Sequence, residues 1–208
     1  MVRKLKQLEV EQKLKSLGLF VFTPAEFRDI FGVSLGTART YIKKNVIRGL
    51  FIKLRNNFYQ LSDSNPSLYS IANRLYQPSY VSLEKALSHY HIIPETVYTI
   101  TSVSTKSTRE FTNPRGTFSY QQIKMGVFTG YTLTQLEDFM ILMAEPAKAL
   151  ADYLYFVDLG KISLNDRLNL SSIKKSELVK FIELFNRPTM ISLIEKIYAE
   201  SAKPRTIR

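Results

Sequence analysis

The sequence predicts an α+β protein in two parts, residues 1–62 and residues 63–208, and three observations lead there. Helical periodicity dominates the first 50 residues, β-branched and aromatic residues crowd the middle of the chain, and helical periodicity returns after them. Charge is uneven: residues 1–62 hold 12 Lys and Arg against 4 Asp and Glu, a balance of +8, whereas residues 63–208 hold 17 against 14, a balance of +3. The polar, proline-containing stretch SDSNPS at residues 62–67 falls at the same boundary and reads as a linker.

From Leu5 to about Leu17, apolar Leu5, Leu8, Leu14 and Leu17 alternate with charged residues, which predicts an amphipathic helix ended by Gly18. Thr23 is placed to cap a second helix, with Pro24 at its first position and Glu26 at its third, running to about Ile30. After a tight Phe-Gly-Val-Ser turn, Ser34 caps a third helix. In it Ala38, Ile42 and Val46 face inward, Thr37, Thr40, Lys43 and Lys44 lie outside that stripe, and Gly49 closes the helix. The runs Leu50 to Leu54 and Phe58 to Leu61, joined by Arg55-Asn56-Asn57, form a β-hairpin, since Asn tolerates the positive φ of such turns. Helix, helix, turn, helix, hairpin is the order of a winged helix-turn-helix DNA-binding domain, assigned to residues 1–62.

Residues 63–208 begin with helices at SLYSIANRLY and SLEKALSHYH; Ser82 is the expected cap of the second, and Ala86, Leu87 and Tyr90 its apolar face. TVYTITSV, STREFT and TFSYQQI are expected strands, with a turn at Asn113-Pro114-Arg115-Gly116. EPAKALADYLYF, SELVKFIELF and MISLIEKIYAE are expected helices, Pro146 and Pro188 standing at starts where proline is tolerated. The expectation is a mixed domain with a small antiparallel sheet flanked by helices, and a short basic tail after Ala202.

The net charge of +11 points to a polyanionic partner, either nucleic acid or an anionic surface. An α-helix fits the major groove of duplex DNA, and a helix offering hydroxyls and cations contacts base edges and phosphates together. The candidate reading residues are Ser34, Thr37, Arg39, Thr40, Lys43 and Lys44, with Gly36 allowing close approach; Lys53, Arg55, Asn56 and Asn57 are the candidate phosphate contacts of the hairpin. One such module buries on the order of 600–1,000 Å² of protein surface, so two copies on an inverted repeat, a dimer on DNA, are expected. Lys106, Arg109 and Arg115, beside Phe118 and Tyr120, form a second candidate surface for single-stranded RNA or for a protein partner.

The chain has no cysteine, which excludes a disulfide scaffold, a thiol nucleophile and Cys-ligated metal. His89 and His91 are two apart and point about 200° from each other on a helix, so they cannot chelate one ion from one face. Glu137, Asp138 and Glu145 with Lys148 superficially suit a metal-dependent nuclease, but their spacing fits helix starts. No phosphate-binding loop or nucleophile elbow is present. The expected protein is therefore not an enzyme, without cofactor or metal. It has no signal-like segment, no apolar run long enough to span a membrane and no interfacial helix, and is expected in the cytoplasm.

The pattern S-x-x-T-A-R-x-Y-I-K-K-x-V-I-R-G-L-F-I-K-L-R-N-N-F-Y-Q-L, then YVSLEKALSHYHIIPETVYTITSVSTKSTREFTNPRGTFSYQQIK, then AEPAKALADYLY, resembles the AbiEi-like antitoxins of type IV toxin–antitoxin systems, which act in abortive phage infection. The resemblance spans residues 20–157, and the middle block is its most specific part. It departs at His89-Tyr90-His91, where the family often has Tyr-Gly. The resemblance implies a transcriptional regulator that binds inverted repeats in its own promoter, represses its operon, and counteracts a nucleotidyltransferase-like toxin without requiring a stable complex. The alternatives are a stand-alone winged-helix regulator and a protein- or RNA-interaction module.

Overall fold

The computed structural model describes residues 5–136 and 138–201; Glu137 and the basic tail after Ala202 lie outside them. The N-terminal part runs α1 (Gln7–Ser16), β1 (Val21–Phe22), α2 (Pro24–Phe31), α3 (Leu35–Ile47), β2 (Phe51–Arg55) and β3 (Phe58–Leu61). The three strands form an antiparallel sheet in the order β1-β3-β2. Its helices close over a cluster of Val10, Leu14, Phe22, Phe27, Ala38, Ile42, Phe51 and Leu61.

Two expectations for α1 and the strands need correcting. The buried stripe of α1 is Val10 and Leu14, four apart, whereas Leu8 is 64 % and Leu17 51 % exposed. Leu8 lies about 200° round the helix from Val10, and Leu17 sits beyond the last turn as its C-cap. Strand β1 has no sequence signal, because two residues carry no periodicity; Val21 pairs with Gln60 and Phe22 with Tyr59.

The rest of the chain runs α4 (Leu68–Leu75), β4 (Ser79–Val81), α5 (Leu83–His89), β5 (Ile100–Ser104), β6 (Arg109–Asn113), β7 (Gly116–Gln122), β8 (Tyr131–Leu136), β9 (Phe139–Ala144), α6 (Pro146–Asp158), α7 (Lys175–Glu183) and α8 (Pro188–Ser201). Instead of a small antiparallel sheet, the strands form a six-stranded mixed sheet in the order β6-β7-β5-β4-β9-β8. The pairs β5–β7 and β4–β9 are parallel, a long-range choice that local sequence does not encode. The β8–β9 hairpin replaces the helix start expected near Asp138, which lies in the hairpin turn. No helix of the described residues is long and apolar enough to cross a membrane.

Helix α6 is the centre of this part. Ala149, Leu150, Ala151, Leu154 and Phe156 are buried, and so are Lys148 and Asp152, both at 0 % exposure. Lys148 Nζ donates to Asp152 Oδ1 one turn away, and the ammonium also lies 4.9 Å from the Phe185 ring centroid. Asp152 Oδ2 accepts from Tyr80 Oη at 3.0 Å and from Ser82 Oγ at 2.8 Å. Ser82 is thus not the side-chain cap of α5 that its position suggests; its hydroxyl is committed to the buried carboxylate. Burial pushes the Asp152 carboxyl up, against the pull of Lys148, Ser82 and Tyr80. Gly130, at φ +70°, is also constrained here: a Cβ would sit 2.4 Å from the Phe181 ring.

The two parts are pinned together rather than joined by a free linker. Val21 and Leu54 belong to the larger core cluster, Pro66 of the expected linker is buried, and Gln60 Nε2 donates to Ser64 O at 2.9 Å. Arg74 on α4 donates to Glu26 Oε1 at 2.5 Å and to Val21 O at 3.4 Å. Burial alone pushes the Glu26 carboxyl up, but Arg74 and the Thr23 contacts outweigh it and hold the group below its ordinary value.

Lys148→Met or Asp152→Leu alone is expected to cost about 3–5 kcal/mol, because each strands a buried polar partner. Urea unfolding should show the double variant losing much less than the sum of the two. A group with a depressed pKa contributes stability above its unfolded pKa and loses it as pH falls through the folded one. The wild type should therefore fall in stability on acidification below the ordinary range of Glu26 by more than Glu26→Gln does, read by the same unfolding at each pH.

Candidate nucleic-acid interface

The helix pair α2–α3 is held by its own termini. Thr23 Oγ1 accepts from Glu26 N at 3.2 Å while Glu26 Oε2 accepts from Thr23 N at 2.8 Å, a complete capping box. Gly32 ends α2 at φ +61°, a left-handed conformation that glycine adopts without strain. Ser34 Oγ then accepts from Thr37 N at 3.1 Å and lies 2.9 Å from Thr37 Oγ1, so both side chains hold the start of α3.

Helix α3 buries Ala38, Ile42 and Asn45, while Val46 is half-buried at the edge of that face. Asn45 escapes a reading of the apolar stripe; its Nδ2 donates to Tyr41 O at 2.8 Å, which satisfies it inside the core. On the opposite side Gly36, Arg39, Thr40, Lys43, Lys44 and Ile47 are exposed, and Thr37 is half-buried. Residues Gly36, Thr40, Lys43 and Ile47 fall on one ridge by helical spacing. Ile47, at 81 % exposure, is an apolar end to that ridge that the inward stripe gives no reason to expect.

No carboxylate occurs in α3, and among the described residues none of Arg39, Lys43, Lys44, Arg48 or Lys53 is in an ion pair. The positive field of this face is therefore not cancelled locally.

The β2–β3 hairpin turns at Asn56-Asn57, with Asn57 at φ +64°. Lys53, Asn56 and Asn57 are exposed, but Arg55 is not the free cation expected at the tip. A register shift between Lys53 and Arg55 turns Leu54 into the larger core and Arg55 toward the body. Arg55 Nε donates to Leu75 O at 2.7 Å, and its guanidinium lies 4.1 Å from the Phe58 centroid and 5.0 Å from that of Phe111. Partial burial pulls its pKa down from the ordinary value. Arg55 anchors the hairpin to the body.

The second candidate surface is also revised. Phe118 and Tyr120 are 0 % exposed, and Tyr120 Oη donates to Ala72 O at 2.7 Å, so neither presents a face to a base. Arg115 donates to Asn65 Oδ1 at 2.6 Å and is half-buried. Lys106 and Arg109 are exposed, Lys106 lying 5.8 Å from the Tyr76 centroid.

Elsewhere, His89 ends α5 and packs edge-on against Tyr69 and Tyr90, while His91 lies beyond the helix at φ +56°. Glu145 makes no side-chain cap contact, and Lys148 is turned to Asp152 instead. Among the described residues no group of three or more His, Asp and Glu is placed to hold a metal ion. A groove of about 1110 Å³ between the α5–β5 loop and the segment 167–171 contains Glu95 and Arg167, whose charges neutralise each other. Compared with known proteins, the chain matches no family model and no curated sequence.

The two basic residues of the hairpin should separate cleanly. Arg55→Ala is expected to cost about 1–3 kcal/mol, because the Phe58 and Phe111 rings lose their cation and the Leu75 carbonyl its donor. Lys53→Ala should stay within about 0.5 kcal/mol of the wild type in chemical unfolding.

Proposed function

We propose that residues 1–62 are a winged helix-turn-helix that reads double-stranded DNA with α3 and places the β2–β3 hairpin beside the phosphate backbone. The observation that carries this reading is the exposed, carboxylate-free face of α3, whose Arg39, Lys43 and Lys44 have no anionic partner among the described residues. Thr40 and Gly36 at its centre suit base edges and close approach, and Ile47 suits a thymine methyl group. Lys53, Asn56 and Asn57 remain the hairpin groups available to phosphates, with Arg55 removed from that set.

The finer reading is a repressor of its own operon that serves as the antitoxin of a type IV system. Residues 63–208 would then counteract a nucleotidyltransferase-like toxin, with no stable complex required and no catalysis by this chain. The support is the resemblance of the sequence blocks to AbiEi-like antitoxins, and the test is rescue of growth when this chain is co-expressed with the product of the adjacent gene.

DNA reading is tested by titrating the protein with its own upstream duplex and with a scrambled duplex at about 150 mM salt, where a specific site should be preferred by about a thousandfold or more. Lys43→Ala and Lys44→Ala should weaken both duplexes alike and reduce the salt slope by about 0.9 for each phosphate that is no longer neutralised. Thr40→Ala should change the preference between duplexes. Equal, weak binding to both duplexes by the wild type would remove α3 from a reading role.

A further inference from the structure

We propose that β8, the open edge of the six-stranded sheet, pairs antiparallel with β8 of a second copy of this chain, so that one sheet runs through a two-fold dimer. Its use in bringing two α3 helices to one inverted repeat rests on the DNA-binding reading above; the pairing itself rests on the edge.

Strand β8 is the last strand of its sheet. Tyr131 lies opposite Ala144, and Glu145 N donates to Gly130 O at 3.0 Å. In an antiparallel ladder the bonded positions alternate, so the backbone N–H and C=O of Tyr131 and Leu133 point away from β9. Proteins usually blunt such an edge with lysine, proline or a bulge. The strand reads YTLTQL, with no charge and no proline, and its register with β9 is unbroken from Tyr131 to Leu136. The opposite edge is managed: β6 carries Arg109 and Glu110, and its Phe111 lies under Arg55 of the β2–β3 hairpin.

Exposed apolar side chains flank the open edge. Leu133 is 58 % and Met140 54 % exposed, and the pairings Leu133 with Leu142 and Gln135 with Met140 put both on one face of the hairpin.

A second copy is the occupant that fits. Two chains of charge +11 repel one another, and an uncharged strip is where they can meet without opposing like charges. Antiparallel pairing about a two-fold axis puts either Leu133 against Leu133 or Thr134 against Thr134 at the centre, an apolar or a hydroxyl pair, both favourable across strands. An acidic or basic partner would find no countercharge along the strand. A strand of six residues buries much less than the roughly 800 Å² per partner of a stable interface, so the free dimer is weak and strengthens when one duplex holds both copies.

The chain has no cysteine, so a single introduced thiol reports on one position. Leu133→Cys, Thr134→Cys and, as a control, Tyr98→Cys in the loop before β5, where Tyr98 is 85 % exposed, are oxidised as full-length protein without DNA. Leu133→Cys or Thr134→Cys should form disulfide dimer about tenfold or more above Tyr98→Cys, since only paired strands bring the Cα atoms within bridging distance. Leu133→Pro removes an N–H that faces away from β9. It should keep the far-ultraviolet dichroism and unfolding midpoint while abolishing concentration-dependent dimer in sedimentation. If that variant does not fold, Leu133→Lys, which puts a lysine on an otherwise uncharged edge in each copy, directly opposed in one register and diagonally placed in the other, replaces it. Equal cross-linking at all three positions, or a dimer that persists in a folded edge variant, overturns the proposal. Both readouts omit DNA, so their failure leaves the duplex titration unaffected, and the reverse also holds.

Discussion

A helix buried on nearly every side must neutralise its own polar groups, and the organisation of residues 63–201 follows from how α6 does so. Lys148 and Asp152 satisfy each other across one turn, and the second oxygen of Asp152 holds Tyr80 and Ser82. Tyr80 lies within β4 and Ser82 just past its end, and β4 is the strand between β5 and β9, so a single carboxylate fixes the helix against the centre of the sheet. Phe185, from the segment after α7, covers the ammonium and completes the exclusion of water. The desolvation that such a pair requires offsets most of its attraction, so stranding one partner costs far more than replacing both.

The same logic operates more weakly at the junction of the two parts. Arg74 and Arg55 reach in opposite directions across it, one from α4 to the capping carboxylate of α2, the other from the hairpin to the end of α4. The carboxylate that Arg74 meets already caps α2, and the carbonyl that Arg55 meets lies at the end of α4. The orientation of α3 relative to the sheet is thereby set by contacts that α3 does not itself make.

Much of the N-terminal part was legible in the sequence. Thr23-Pro24-x-Glu26, Ser34, Gly49 and the Asn56-Asn57 turn each encode a local geometry, and each carries that geometry in the structure. The exposed cations of α3 were legible for the same reason, since helical spacing alone separates them from Ala38 and Ile42. Most of the failures are long-range, the misassigned stripe of α1 and the unforeseen β8–β9 hairpin being the local ones. Arg55 looks like any basic turn residue until the bulge at Leu54 redirects it, and Ser82 looks like a cap until Asp152, 70 residues later, claims its hydroxyl. Phe118 and Tyr120 read as available aromatics because a strand's burial depends on what covers it, and parallel pairing of β5 with β7 leaves no local trace.

Glu26 stands in two structures at once, as the third residue of a capping box and as the acceptor of Arg74. The sequence divides at residue 62, but the packing does not: a cut there would leave Val21 and Leu54 without the core they share and Glu26 without its cation. In modular terms, the piece that can be exchanged between proteins with its geometry intact extends past the compositional boundary to include α4. On the DNA-reading proposal, changing specificity in such a chain means rewriting the outer ridge of α3 in place, since transplanting the first 62 residues would separate α3 from the contacts that hold it.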